Sequence, residues 1–153
     1  MKISEQGKLF IKSMEPLRLE AAAVDGDWTI GYGHTRGVRR GMKATLAEAE
    51  SWFAEDLLDV EHAIGMAFEG LGLAGNVQNK FDALADFAFN VGADALMSSD
   101  LWRALCLGAT EETVRRELDR WCYVGGEVKM ELVYRRTLEA NLFFARCVWW
   151  QYV

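Results

Sequence analysis

Apolar residues recur at intervals of three and four positions over most of the chain, a pattern that predicts amphipathic helices. Ser4 is placed to cap a first helix at residues 5–13. A Thr-x-x-Glu capping box that begins at Thr45 opens a long helix, which extends to about residue 68. The helix predicted at residues 78–89 is apolar on nearly all sides and should therefore lie in a core.

The second half of the chain predicts several shorter helices separated by turns. Trp102 and Trp121 fall on two of them at core spacing, so burial is favoured over a role as sugar-stacking platforms. The apolar end of the chain favours closure of the core by a terminal helix, with a docking surface as the alternative. The predicted helices cover residues 93–97, 99–106, 110–121 and 131–148, and Gly125-Gly126 marks a turn.

One stretch departs from the helical pattern. Pro16 restricts the residue before it to extended backbone, so Glu15 should sit where the first helix ends. A turn then precedes the segment Trp-Thr-Ile-Gly-Tyr-Gly-His-Thr, in which Gly31 and Gly33 alternate with larger residues. Glycine inside a strand often marks the close approach of a ligand or of another backbone. We therefore predict a hairpin at about residues 21–38 and a cleft in which Glu15 faces it.

Composition and charge restrict the class of protein. The 153 residues suit one compact domain, and a net charge of −6 gives no basic surface for nucleic acid. The N-terminus lacks the apolar segment of a signal peptide or of a membrane helix, so synthesis in the cytoplasm is expected. The only histidines are His34 and His62, and the three cysteines are widely spaced. We therefore expect neither a metal site nor a disulfide framework.

Three motifs resemble those of the phage-type lysozymes, glycoside hydrolase family 24. They are Glu15-x-Leu-Arg-Leu with the Trp-Thr-Ile-Gly-Tyr-Gly-His-Thr segment, Phe-Asp-Ala-Leu-x-Asp-Phe-Ala-Phe-Asn-Val-Gly at residues 81–92, and Leu-Val-Tyr-Arg-Arg with Glu139. The resemblance implies a single domain with an α+β, mostly helical fold in two lobes, a small N-terminal β-hairpin and a long inter-lobe helix. The small lobe would span about residues 14–60. The larger lobe would span about residues 70–153, together with the N-terminal helix.

The resemblance also implies a muramidase that hydrolyses the β-1,4 linkage between N-acetylmuramic acid and N-acetylglucosamine, with inversion and without a cofactor. Such cleavage needs an acid and a base. Glu15 matches the family's acid, and Thr29 matches the threonine that positions water or substrate. The family's Asp has no direct counterpart, because the segment from Glu15 to Thr29 is one residue shorter than usual and Val24 stands at its position. Asp25 is the nearest substitute. It either activates the water or, slightly favoured, only shapes the turn.

Further residues carry over from the family with binding or structural roles. Tyr32 and His34 would line the substrate site, and His34 would also brace the hairpin. Arg136 would lie beside Glu15. Burial would raise the pKa of Glu15 while a neighbouring guanidinium would lower it, and the sequence leaves open which effect is larger. The basic loop at residues 36–41 is either a solvated surface, which is favoured, or a contact for acidic groups of the glycan.

A second hypothesis follows from the departures from the family pattern. Pro16 stands where glycine is typical, and Ala22 stands where tyrosine is frequent. Together with the missing Asp, these changes resemble the SpmX-type muramidase-like domains, in which the fold serves wall binding, localisation and assembly. The chain would then bind peptidoglycan glycan strands, a second copy of itself or a protein partner, with little or no catalysis. As an enzyme it would act in the periplasm or cell wall after delivery by a holin or within a larger protein.

Overall fold

The structure is a computed structural model that describes residues 1–24 and 26–145. It is mostly helical with two short hairpins, which confirms the predicted α+β, mostly helical fold class. The helices are α1 (Glu5–Met14), α2 (Leu46–Gly70), α3 (Val77–Val91), α4 (Ala93–Met97), α5 (Asp100–Cys106), α6 (Glu111–Asp119) and α7 (Met130–Phe143). The strands are β1 (Arg18–Val24), β2 (Asp27–Gly31), β3 (Tyr123–Val124) and β4 (Glu127–Val128).

Side-chain caps determine where the helices begin. The hydroxyl of Ser4 accepts a hydrogen bond from the backbone N–H of Gly7 at 3.0 Å, and Thr45 and Glu48 form the predicted capping box. Asn76 caps α3 through its side-chain oxygen. Each cap satisfies a backbone donor that has no partner inside the helix. The helix starts predicted from these residues therefore agree with the structure to within one or two residues.

Helix α3 forms the centre of the core. It contacts α1, α2, α4 and α7, and every residue from Phe81 to Ala88 is buried. The predicted burial of this helix is confirmed. Two of its buried residues, Asp82 and Asp86, are nonetheless acidic, and each therefore needs a hydrogen-bonding or charged partner.

The first hairpin, β1–β2, is short and has an irregular register. The strands are antiparallel with Ala22 opposite Thr29, and the register shifts between Arg18 and Ala22. The two strands lie within residues 18–31, whereas the predicted hairpin covers about residues 21–38; β2 ends at Gly31, because Gly31 adopts φ 65° and turns the chain. The strand packs against α2, so the hairpin is supported from one side by a long helix.

Two features near the C-terminus differ from the sequence-based expectation. The Gly125-Gly126 turn joins two short strands, β3 and β4, where only a turn is predicted. Helix α7 ends at Phe143 rather than at residue 148, and Ala145 follows it with φ 52°. A left-handed residue at this position is incompatible with a continuing helix, which explains the earlier end.

Two tryptophans of the second half, Trp102 and Trp121, lie against the core, as the sequence predicts. Trp102 and Trp121 are half-buried, and the ring of Trp121 meets Phe87 edge-on with centroids 5.3 Å apart. Cys147, Trp149 and Trp150 fall outside the described residues.

Helix α2 reaches both parts of the molecule. It contacts β2 as well as α3 and α4, which is the placement expected of the inter-lobe helix. The lobe boundaries near residues 14–60 and 70–153 stay a prediction. Within residues 1–24 and 26–145, no helix has the length and apolar character needed to cross a membrane. The same part of the chain contains no group of three or more His, Cys, Asp or Glu side chains arranged to hold a metal ion.

Candidate active site

Glu15 stands where α1 ends, as the sequence predicts. Its backbone is extended (φ −111°, ψ 116°), in keeping with the restriction that Pro16 imposes, and its N–H donates to the carbonyl oxygen of Lys12 at 3.3 Å. The side chain of Glu15 is 17% exposed. The carboxyl is thus largely withdrawn from water while it still reaches the surface.

One guanidinium joins Glu15 to the core. Arg135, on α7, donates from Nη1 to Glu15 Oε1 at 2.7 Å. Its Nε and Nη2 donate to the two carboxylate oxygens of Asp86, on α3, at 2.9 and 2.8 Å. Arg135 is 5% exposed and Asp86 is fully buried. A partly exposed acid is therefore held by a buried, bidentate ion pair.

The pKa of Glu15 is raised above its ordinary value. Burial is the largest cause. Arg135 opposes it through its charge and its hydrogen bond, the negative charge of Asp86 adds to the rise, and Arg18 lowers the pKa. Since the net direction is upward, Glu15 keeps its proton to a higher pH than an exposed glutamate does. The sequence leaves open whether burial or a neighbouring guanidinium has the larger effect on this pKa, and in the structure burial has the larger effect.

Glu15 lies beside two residues, Gly33 and Arg135, each of which lines a hollow in the surface. A side chain added at Gly33 would begin 3.6 Å from Glu15 Oε2, and Gly33 lines a hollow of about 630 Å³ bounded by α2 and the end of α3. Arg135 lines a second hollow, of about 430 Å³. Glu15 is therefore adjacent to one lining residue of each hollow.

Arg136 does not take the place predicted for it beside Glu15. Consecutive residues of a helix point about 100° apart, so the preceding residue, Arg135, faces Glu15 instead. Arg136 is fully buried, donates from Nη1 to Glu139 Oε2 at 2.9 Å and also donates to Asn90. It therefore supports the packing of α7 on α3 rather than the cleft.

Both ring nitrogens of His34 have partners. Nδ1 lies 3.0 Å from each carboxylate oxygen of Asp56, and Nε2 lies 3.0 Å from the carbonyl oxygen of Arg36. The ring stacks on Trp52 with centroids 5.3 Å apart, and His34 is buried. These contacts hold the loop after β2 against α2, as expected of a bracing residue. A direct role in substrate binding stays a prediction.

Tyr32 is engaged by the same part of the fold. Its hydroxyl donates to Glu50 Oε1 at 2.9 Å, and Glu50 also pairs with Lys12 of α1. The ring of Tyr32 lies 5.1 Å from that of Phe53. Tyr32 thus links the loop after β2 to α1 and α2, and its predicted contact with substrate likewise stays a prediction.

The hairpin carries the other predicted catalytic residues. Thr29 is half-buried in β2, and its side chain makes no hydrogen bond with the residues that the structure describes. Asp25, predicted as either base or turn residue, lies outside the described residues. Asp27 is exposed at the start of β2. The identity of the base stays a prediction.

Arg135 and Asp86 are the two site residues that the sequence motifs do not single out. A signal for them exists, because an aspartate in a helix that is apolar on nearly all sides requires a cationic partner. Arg135 and Arg136 stand together in another helix with apolar spacing. Which of the two arginines turns towards the aspartate depends on the rotation of α7 about its axis, and spacing alone does not set that rotation.

The sequence and the fold both match proteins of known class. Residues 12–139 match the phage lysozyme family. The chain is 37% identical over 147 residues to the endolysin of Bacillus phage PZA, and the alignment covers 94% of this chain and 55% of that endolysin. The chain therefore spans about half the length of this relative.

Two solved structures share the fold over nearly the whole chain. The muramidase domain of SpmX from Asticaccaulis excentricus has a TM-score of 0.78 and 37% identity, with 93% of this chain and 97% of that chain covered. The endolysin from Escherichia coli O157:H7 phage FAHEc1 has a TM-score of 0.77 and 30% identity, with coverage of 94% and 93%. These matches confirm the predicted two-lobe fold and the resemblance to the SpmX domain.

Proposed function

Because the chain belongs to the phage lysozyme family, we propose that it hydrolyses the β-1,4 linkage between N-acetylmuramic acid and N-acetylglucosamine in peptidoglycan. The observation that carries the proposal is the environment of Glu15: a largely buried carboxyl with a raised pKa, beside Gly33 and Arg135, which each line a hollow. Glycosidic cleavage requires such an acid beside the leaving oxygen. The protein would act in the periplasm or cell wall, after delivery by a holin or within a larger protein.

In this mechanism Glu15 donates its proton from Oε2. Its Oε1 accepts the hydrogen bond from Arg135, whereas Oε2 faces Gly33, where the absence of a side chain permits close approach of a ligand. The proton passes to the glycosidic oxygen. The bond from that oxygen to C1 of the muramic acid then breaks, and N-acetylglucosamine leaves as the alcohol.

The second half of the reaction is assigned to the hairpin. Water adds to C1 from the opposite face, as in an inverting glycosidase, and gives up a proton to a base. Asp25 is the proposed base, and Thr29 is proposed to position the water. Tyr32 and His34 are proposed to contact the substrate, and their contacts with Glu50 and Asp56 also hold the loop that carries Gly33. The products are two glycan fragments, one of which ends in a new reducing muramic acid.

The test is to incubate the native protein with purified peptidoglycan and to analyse the soluble fragments. The proposal predicts that every new reducing end is N-acetylmuramic acid and that it first appears in the α configuration, inverted from the β linkage. New reducing ends of N-acetylglucosamine, or released peptides without new sugar ends, would show a different reaction.

A second candidate is a muramidase-like binding domain with weak or no catalysis. Exposed apolar side chains favour it: Leu17 and Leu19 beside the first hairpin are 42% and 40% exposed, and Tyr123 and Tyr134 near the second are 57% and 56% exposed. Exposed apolar residues of this kind favour a binding surface where they are contiguous. If the native protein sediments with peptidoglycan and releases no fragments, this candidate is supported and the enzymatic function is rejected.

A further inference from the structure

Arg135 contacts its two acidic partners unequally. It meets Asp86 with two parallel hydrogen bonds, Nε to Oδ2 at 2.9 Å and Nη2 to Oδ1 at 2.8 Å. It meets Glu15 with one, Nη1 to Oε1 at 2.7 Å. A bidentate fork fixes the plane of a guanidinium, whereas a single bond does not. The position of Arg135 beside Glu15 is therefore determined by Asp86.

Asp86 is itself firmly placed. Its carboxylate is fully buried in the part of α3 where every neighbouring residue is buried, and α3 packs directly on α7. Nη2 of Arg135 also lies 3.4 Å from the carbonyl oxygen of Asp86. The fork thus joins the two helices at their contact. The contact with Glu15 extends from this fixed pair towards the surface.

The charges around Glu15 come from three elements. Helix α7 contributes Arg135 and, 3.7 Å from Arg135 Nε, Glu139. Strand β1 contributes Arg18, and α3 contributes Asp86. Glu139 accepts a hydrogen bond from Arg136 of the same helix. Arg135 is the cation that donates a hydrogen bond to Glu15. The negative charge of Asp86 lies against that cation and offsets it.

We propose that Asp86 is a positioning residue for Glu15: through its fork it holds Arg135 beside the carboxyl and offsets the positive charge that Glu15 experiences. The inference rests on the proposed function, since the role of Glu15 as acid is itself proposed. Its chemical consequence is that Glu15 accepts an oriented hydrogen bond on Oε1 without losing the proton that it donates from Oε2. Without the negative charge of Asp86, Arg135 at the same distance would favour the ionised carboxylate of Glu15, which has no proton to donate.

The test compares Asp86→Asn with Asp82→Asn. Asp82 is a matched control, because it is a buried aspartate one turn earlier on α3 and its hydrogen bonds go to Ser4 and Gln78, away from Glu15. NMR of labelled glutamate side chains follows the titration of Glu15 in each variant. Asparagine keeps one oxygen that can accept from Arg135 but lacks the negative charge, so we expect the midpoint to move to lower pH in Asp86→Asn and to stay at the native value in Asp82→Asn. A midpoint in Asp86→Asn that is unchanged or moves to higher pH, or an equal shift in both variants, overturns the proposal.

The same pair of variants gives a kinetic readout that a purely structural role would not produce. In Asp86→Asn the alkaline limb of kcat/KM moves to lower pH, and each unit of movement lowers the rate on that limb about tenfold. The titration of Glu15 does not depend on activity. If the native protein releases no fragments while Asp86→Asn still moves the titration, the enzymatic function fails and the role of Asp86 stands.

A second measurement covers the case in which Asp86→Asn does not fold. The crystal structure of Glu15→Gln removes the carboxylate at the surface and leaves the buried pair intact. We expect Arg135 to keep both hydrogen bonds to Asp86 and to remain beside residue 15. A structure in which Arg135 leaves Asp86 when the charge of Glu15 is removed overturns the proposal, because Glu15 would then be the residue that holds the arginine.

Discussion

Glu15, the proposed acid, and Thr29, proposed to position the water, belong to regions built in different ways. Glu15 ends a helix and is joined through Arg135 to the fully buried Asp86, so its surroundings are part of the core. Thr29 belongs to a short two-stranded hairpin whose facing strand is rich in alanine and mostly not buried. Changes at the acid should therefore affect both stability and chemistry, whereas changes on the hairpin should affect chemistry almost alone.

This difference has a physical basis. Burial of a carboxyl and of its partners raises the pKa that an acid needs, and it also makes those partners costly to remove. A base must ionise and must reach a water molecule, so exposure suits it. The hairpin can therefore change in length or sequence with less effect on the core than a change at the partners of the acid.

The largest expected effect is the loss of catalysis in Glu15→Gln. Removal of a general acid lowers rates by roughly 10²–10⁴-fold, and glutamine preserves the shape of the side chain. Fragment release from peptidoglycan measures the loss. Glu20→Gln, an exposed glutamate on β1 paired with Lys43, is the control and should keep native activity. Equal activity in the two variants would remove Glu15 from the mechanism.

The same variant, Glu15→Gln, is expected to gain stability relative to the native protein as the pH rises. The folded pKa of Glu15 is raised, so as pH rises above the ordinary carboxyl range the unfolded chain loses this proton before the folded protein does. The free energy of unfolding of the native protein therefore falls as the pH rises from the pKa of Glu15 in the unfolded chain to its pKa in the folded protein. Relative to it, Glu15→Gln should gain stability as pH rises from acid towards neutral, measured by urea unfolding. A constant difference between the two proteins would show that the pKa is not raised.

The next largest effect is expected for Arg135→Met, which changes a buried partner of the acid. This substitution leaves Asp86 buried without its cation, which costs about 3–5 kcal/mol of unfolding free energy. Arg115→Met is the matched control: Arg115 pairs with Glu111 at 2.8 Å but is 32% exposed, so it should cost no more than about 1 kcal/mol. In Arg135→Met the pKa of Glu15 rises further, because a cation that lowers it is gone. The alkaline limb of activity should therefore move to higher pH.

On the hairpin, Asp25→Asn separates the two interpretations of that residue. A base contributes about 10²-fold or more to the rate, whereas a turn residue contributes little to the rate. Asp27→Asn is the neighbouring control. Neither change should alter stability by more than about 0.5 kcal/mol. Loss of activity in Asp27→Asn alone would assign the base to Asp27, and retention of activity in both would remove the hairpin acids from the mechanism.

The smallest expected effect on stability is that of Thr29→Val, which removes the hydroxyl and keeps the shape. Thr29 is half-buried in β2, and its hydroxyl makes no hydrogen bond within the described part of the chain. We expect a change within about 0.5 kcal/mol together with a clear fall in kcat. A variant with native kcat would show that Thr29 does not position the water.

The same contrast explains how far the sequence predicts this protein. Ser4, Thr45 and Pro16 act on adjacent backbone, so the helix starts and the place of Glu15 are predicted correctly. Arg136 is predicted beside Glu15, but Arg135 occupies that place, because the choice between neighbours depends on the rotation of one packed helix against another. Local chemistry can be deduced from spacing, whereas the partners of a buried charge depend on tertiary packing.

If Glu15 donates the proton, its own titration should control the pH dependence of catalysis. The titration of the Glu15 carboxyl is followed by NMR in the native protein, and the alkaline limb of kcat/KM for fragment release is measured under the same conditions. We expect both midpoints to coincide and to lie above the ordinary carboxyl value. A Glu15 that titrates at or below that value, or a kinetic limb at a different pH, would show that Glu15 is not the acid.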